Sequence, residues 1–333
     1  MQVAIRKKKN RTTKQHYVPQ LYLRRFANDN GCLFCYDKSN DKEYPTTPKD
    51  AASESNFYEF PSGTTKEPMP DNYMERILSK MENIFAPQLS NLISAADSGN
   101  FTHQQICDFA PFVATQWLRT KSYRVAVHEL INKSAKNLVD DLLRLNFPDM
   151  PGKVCVDINP LCMPAIQADQ ILDPSNVCYM AEMLSRHIWT IGIRATGKLL
   201  YTSDQPVIRN ANLYFDGFPL VGVLDRGVEF VFPLDSGHIL LILERSYFAN
   251  MRRLDTKSFR LTYQQINRYN ALQVRKCNQR LYCAENDFTL AKQICELEPT
   301  ICDPDRPRVQ VSSTVMEDIG DKKRNFNIVA ALE

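Results

Sequence analysis

The side chains best suited to chemistry are a histidine, two acids, an arginine and two amides, spread over separate segments of a 333-residue chain. His16 is the well-placed base, because a neutral imidazole near pH 7 suits general acid–base work or metal ligation. It precedes a short helical turn carrying Gln20, Arg24 and Arg25. A histidine at a helix start is also a common cap or packed ring. Glu82 interrupts the row Leu78, Phe85, Leu89, so an acid stands on an apolar helix face. Burying a carboxylate is costly unless it is paired or protonated, so Glu82 either has a partner or marks the edge of a slightly rotated stripe. Gln116 follows Phe112 by four residues and Arg119 follows Gln116 by three, which places amide and guanidinium on one face. Arg119 can pair with Glu82 or hold an anionic ligand in its planar fork of donors. Asp204 closes a strand in Thr202-Ser203-Asp204-Gln205-Pro206-Val207. It is either an Asx-turn satisfying nearby amides or a carboxylate presented for catalysis or metal binding.

If these groups meet, they could position water and bind a divalent cation such as magnesium. No specific metal signature accompanies them. His103, His128, His187 and His238 are scattered, with no His-x-x-x-His or Glu-x-x-His pair. Cys32-Leu33-Phe34-Cys35 is the one metal-like spacing, and the later cysteine pairs are too widely spaced to complete it. Strand alternation would also send Cys32 and Cys35 to opposite faces. A Gly-x-Ser-x-Gly elbow and glycine-rich phosphate loops are absent, which disfavours a Ser-His-Asp hydrolase and a P-loop or dinucleotide fold.

Charge is lopsided. Arg6, Lys7, Lys8, Lys9, Arg11, Lys14, Arg24 and Arg25 all precede the first acid, Asp29, and subtracting those eight from the net +3 leaves the remainder near −5. A basic arm on a mildly acidic body suits RNA, DNA or another acidic partner, with Lys7, Lys8, Lys9, Arg11, Lys14, Arg24 and Arg25 as the contacts. A solvated arm that aids solubility would have the same composition. Ten irregularly spaced cysteines and a polar N-terminus without an apolar core predict free thiols and a cytoplasmic setting. No apolar run approaches the roughly 20 residues of a membrane span. With 44% hydrophobic and 24% charged residues, the composition excludes disordered, collagenous and disulfide-scaffold classes.

The elements that must carry these groups follow from periodicity. Residues 16–26 read as a Pro-started helical turn, and Cys32 to Asp37 as a strand. Apolar spacing predicts helices over Asp71 to Ser94, His103 to Thr120 with Thr102 as N-cap, and Ser122 to Leu145, stopped at Pro148 to Pro151. Residues 152–174 read as irregular and 175–188 as helical. The period then shortens. Trp189 to Ala195, Leu199 to Thr202, Glu229 to Phe232 and His238 to Leu243 read as strands, followed by a helix from Tyr263 to Gln279 and a strand over Arg280 to Ala284. The expectation is an α+β fold in which a helical N-terminal and middle half packs on a smaller, mostly antiparallel sheet from the C-terminal half. Its parts would be a basic arm (1–15), one domain (16–290; helical over about 71–188, β-rich over about 189–286) and a polar tail (291–333).

The run His16-Tyr17-Val18-Pro19-Gln20-Leu21-Tyr22-Leu23-Arg24-Arg25-Phe26 resembles the opening His-Tyr-x-Pro-Gln-x-Tyr-Leu-x-x-Phe motif of the bacterial domain-of-unknown-function family 4238. Asn56-Phe57-Tyr58-Glu59, the helix with Glu82, Gln116-x-x-Arg119-Thr120, Thr202-Ser203-Asp204-x-Pro206-Val207, Phe232-Pro233-Leu234, Asn270 and the Arg280 to Ala284 strand follow in the family's order, over about residues 14–286. The lysine-rich start and the chain beyond about 290 depart from it. The resemblance implies a bacterial cytosolic protein and suggests antiphage defence. Its motif residues coincide with His16, Gln20, Glu82, Gln116, Arg119 and Asp204, which implies either one shared pocket or a buried network that fixes the fold. Two functions stay open. One is a hydrolase, foremost a nuclease or phosphodiesterase effector with His16 as acid or base and Arg119 on phosphate. The other is a non-catalytic module that binds nucleic acid, nucleotide or a phage protein.

Overall fold

The structure is a computed structural model that describes residues 13–67, 69–147, 156–195, 197–215, 217–316 and 325–332. The expectations for Arg6, Lys7, Lys8, Lys9 and Arg11, for the Pro148 to Pro151 helix stop and for Cys155 lie outside these residues.

The chain opens with β1 (Lys14–His16) and the one-turn α1 (Gln20–Leu23), then β2 (Leu33–Asp37), β3 (Lys42–Thr46) and β4 (Ser53–Ser55). The helical half comprises α2 (Tyr73–Asp97), α3 (His103–Leu118), α4 (Lys121–Asn146), α5 (Met163–Leu172) and α6 (Pro174–Ser185). Strands β5 (Ile188–Arg194), β6 (Thr202–Ser203), β7 (Ile208–Ala211), β8 (Tyr214–Phe215), β9 (Phe218–Pro219), β10 (Val228–Pro233), β11 (His238–Leu243) and β12 (Lys257–Leu261) follow. The end carries α7 (Tyr263–Lys276), β13 (Arg280–Cys283), α8 (Thr289–Leu297) and the pair β14 (Val309–Met316) and β15 (Asn325–Leu332). The fold is α+β. No helix among the described residues is long and apolar enough to cross a membrane.

Capping sets the helix starts. Thr102 and Thr262 each accept the backbone N–H three residues on, while Gln105 and Gln265 reach back to the cap, the reciprocal arrangement that satisfies two orphan donors. The main sheet runs β12-β5-β11-β10-β7, with β5 and β12 parallel and the other pairs antiparallel. It is covered on both faces. Phe230, Phe232, Leu240 and Ile242 point into the core shared with α2, α3 and α6, while Val231, Ile239, Leu241 and Leu243 meet Ile266, Tyr269 and Leu272 of α7. Period-two alternation into two cores is why β10 and β11 read as unbroken apolar runs. Gly192 belongs to the crowded β5–β12 approach: a Cβ there would lie 2.6 Å from Leu261 Cδ2. A second sheet, β3-β2-β13-β6, joins the N-terminal hairpin to the C-terminal half.

Several segments depart from expectation, β1, β7 and the β14–β15 pair within the region read as a tail among them. α5 lies in the stretch read as irregular and is held by buried Met163, Ala168 and Ile171. β12 was not anticipated. It is an edge strand, so its polar residues break the apolar pattern that marks β5 and β11. The region read as a tail begins with α8, whose Ala291, Ile294 and Cys295 are buried with Tyr36, Tyr201 and Phe288. Packing therefore continues past residue 290.

Candidate functional site

Four of the six singled-out side chains gather around the backbone of residues 15–17. β1 pairs with β4 in antiparallel register, His16 opposite Ser53, which fixes the path of this short segment. α3 ends at Arg119, whose C-cap position turns its side chain back toward β1. Its Nη2 donates to the His16 carbonyl (2.7 Å), its Nη1 to Glu82 Oε1 (2.8 Å) and its Nε to Tyr58 Oη (3.5 Å). Tyr58 in turn donates to the Arg119 carbonyl (2.9 Å). Gln116, one helical turn earlier, donates to the Tyr17 carbonyl (3.2 Å), while its Oε1 is buried without a partner. Gln15 completes the arrangement by accepting from Tyr58 N (2.6 Å) and donating to Glu59 Oε1 (2.6 Å).

Arg119 is only 2% exposed. Burial alone would lower its pKa, but Tyr58 and the Glu82 carboxylate hold it above the ordinary value. The His16 ring bonds through Nε2 to the Lys49 carbonyl (2.9 Å). A carbonyl only accepts, so Nε2 carries the proton and Nδ1 keeps the lone pair. Burial pulls His16 below its usual pKa, and Arg119 adds to that pull against the Lys49 carbonyl. The imidazole is therefore neutral at pH 7.

Gln15, Tyr58 and one further acid of this group were not among the candidate site residues singled out in the sequence. Glu75 lies seven residues before Glu82 on the same face of α2, and that spacing was the available signal. Burial pushes its carboxyl up to about 7 against the opposing pull of Arg119, with Glu82 and Glu59 adding to the rise. Its Oε2 is buried and has no hydrogen-bond partner.

Asp204 stands apart from this cluster in its bonding. It is buried at the end of β6, where Oδ1 accepts from Asn278 N (2.8 Å) and Oδ2 from Gln279 N (2.8 Å) and Arg280 N (2.9 Å). Burial pushes its carboxyl upward, while the three N–H donors oppose that by favouring the anion. The preceding Thr202 hydroxyl bonds Tyr22 Oη (2.7 Å), and Tyr22 donates to the Pro233 carbonyl (2.7 Å). Thus the opening run, the Thr-Ser-Asp run and the Phe-Pro-Leu run are tied to one another. Gln20 sits at the surface of α1 and accepts from Arg24 Nη2 (3.4 Å). Arg25 donates to Ser90 Oγ (2.5 Å), and Lys14 pairs with Asp50 (2.5 Å).

Among the described residues, no group of three or more His, Cys, Asp or Glu side chains is arranged to hold a metal ion. The nine described cysteines are free thiols.

The sequence pattern of a family described as a protein of unknown function, DUF4238, matches residues 14–287, most of the chain. The chain belongs to that family. No curated protein and no solved structure matches it.

Proposed function

We propose that this protein is a non-catalytic binding module for a polyanion, foremost RNA or DNA, presented with a basic arm. One observation carries the reading: hydrogen bonds from His16 to Lys49, from Gln116 and Arg119 to the Tyr17 and His16 carbonyls, and between Gln15 and Tyr58 pin residues 15–17, the segment that follows the basic run. Arg119 spends its fork on Glu82, Tyr58 and a backbone carbonyl, and Asp204 spends both oxygens on backbone N–H groups. Groups engaged in this way chiefly stabilise a fold. The residues that follow the charge are thereby held rigid, which suits an anchor for Lys7, Lys8, Lys9 and Arg11. On the family resemblance, its setting would be antiphage defence.

The test is anisotropy with a short single-stranded RNA or DNA between about 50 and 200 mM salt. Binding should weaken steeply with salt and leave the strand intact. Replacing Lys7, Lys8, Lys9 and Arg11 with Gln should reduce the slope of log K against log salt by about 3. An unchanged slope would remove the arm from the account.

A hydrolase has one specific observation in its favour. Glu75 is a carboxyl poised near neutral pH beside the ionised pair Glu82–Arg119, with neutral His16 close by. Two acids with separated environments can act as acid and base. Strand cleavage that is abolished in Glu75→Gln with no fall in melting temperature would replace the binding account with this one.

A further inference from the structure

A second cationic feature is built from the C-terminal part of the chain. A cleft of about 460 Å³ separates the end of α7 from the segment 298–308, and its lining brings Arg275, Lys276, Arg306 and Arg308 against a single acid, Glu298. That acid is already engaged: Arg275 grips it through Nε (3.0 Å) and Nη2 (2.8 Å). The other two guanidiniums meet only neutral oxygens. Arg306 donates to the carbonyls of Cys277 (2.8 Å), Asn278 (3.2 Å) and Asp303 (3.1 Å). Arg308 donates to Asn278 Oδ1 (2.5 Å) and to the carbonyls of Pro304 (2.6 Å) and Arg306 (3.2 Å). Arg308 is 3% exposed, and its Nε has no partner at all.

Capping the last carbonyls of α7 accounts for some of these bonds, but among the described residues neither guanidinium forms a salt bridge with a carboxylate. A buried cation held by carbonyls alone is incompletely compensated. Burial lowers the Arg308 pKa and the neighbouring Arg306 lowers it further, while Asp204, Glu129 and Asp305 oppose that pull without bonding the guanidinium. The remaining lining fits a small phosphorylated molecule. Ser122, in the first turn of α4, adds a hydroxyl, and Ile301 and Pro307 add apolar surface for a base or sugar. The volume is that of a small-ligand site. Asp204 sets this wall indirectly, because the turn it clamps begins at Asn278, the residue that holds both Arg306 and Arg308.

We propose that this cleft binds a phosphate monoester, the dianionic terminal phosphate of a nucleotide or of a 5′-phosphorylated oligonucleotide. The inference does not depend on the arm. The full chain is titrated calorimetrically with inorganic phosphate, adenosine monophosphate, and one oligonucleotide bearing either a 5′-phosphate or a 5′-hydroxyl. Phosphate and the nucleotide should bind, and the 5′-phosphate should tighten oligonucleotide binding at least about tenfold. Failure of that gain, with the nucleotide still bound, would assign the cleft to free nucleotides. Arg308→Gln should lose these effects. Because that variant can fail to fold, Thr300→Glu serves beside it: Thr300 is exposed on the cleft rim. It should weaken phosphate and nucleotide at least about tenfold at a native melting temperature. Wild type that binds neither phosphate nor nucleotide, or Thr300→Glu that binds them as wild type does, overturns the proposal. Salt-sensitive binding of the 5′-hydroxyl strand reads the arm separately and should be the same in Thr300→Glu.

Discussion

Asp204→Ala separates a structural carboxylate from a catalytic one. In the folded protein the Asp204 oxygens accept from Asn278, Gln279 and Arg280 N–H at 2.8–2.9 Å, and the side chain is buried. Truncation would leave three donors at the α7–β13 turn without their acceptor. Each unsatisfied buried group costs about 1–3 kcal/mol, and with relaxation and water entry the total should be about 4–6 kcal/mol. Asp204→Asn keeps one oxygen, enough for Gln279 and Arg280 if the amide nitrogen faces Asn278 N–H. That donor-to-donor contact should cost about 2 kcal/mol. For a domain of this size each kcal/mol lowers the melting temperature by about 2–4 °C. Thermal and urea unfolding followed by circular dichroism should therefore show a drop of about 10–15 °C for Asp204→Ala and about 5 °C for Asp204→Asn. A melting temperature for Asp204→Ala within about 2 °C of wild type would refute the clamp, because a substrate-facing carboxylate can be removed at little cost in stability.

Two pH dependences follow from the same packing. Glu75 is raised in the folded state to about 7 from its ordinary value of 4.5, so the folded protein holds the extra proton between those values and loses stability as pH rises through that window. Glu75→Gln should accordingly gain about 1–3 kcal/mol relative to wild type between pH 5 and 8, after allowance for partial exposure. A flat difference between the two proteins would contradict the burial of Glu75. His238 lies between Asp235 (2.9 Å) and Asp97 (3.0 Å); burial pulls its pKa down, but the two carboxylates carry it above the usual value. Its ion pairs thus stabilise fully below about pH 6.5 and fade as pH rises through the elevated value. His238→Gln should cost more at pH 5.5 than at pH 8.5 in urea melts, and the reverse order would exclude a charged clip between α2 and the β10–β11 turn.

The α+β class, the three long helices and the strands β5, β10 and β11 were legible because local periodicity and capping residues determine them. Thr102 before an apolar stripe is enough to start α3, and continuous apolar runs announce strands buried on both faces. The Glu82–Arg119 partnership was one of two readings open at the sequence level, since an acid on an apolar face requires compensation. α5 and β12 were not legible, the one because proline and cysteine mask a short amphipathic turn, the other because an edge strand tolerates polar residues. The partner of each polar group was likewise beyond reach. Arg119 meets the backbone of His16 across 103 residues, and Asp204 meets Asn278 across 74.

By itself, then, the sequence determined which segments are helix or strand and which charges need an answer. The tertiary structure alone decided what answers them: that Asp204 faces three amides, that burial lifts the Glu75 carboxyl to about 7, and that Arg306 and Arg308 share a cleft whose single carboxylate is already engaged by Arg275. The reason is physical. Propensity acts over a few neighbouring residues, whereas desolvation and hydrogen-bond pairing depend on which distant parts of the chain converge.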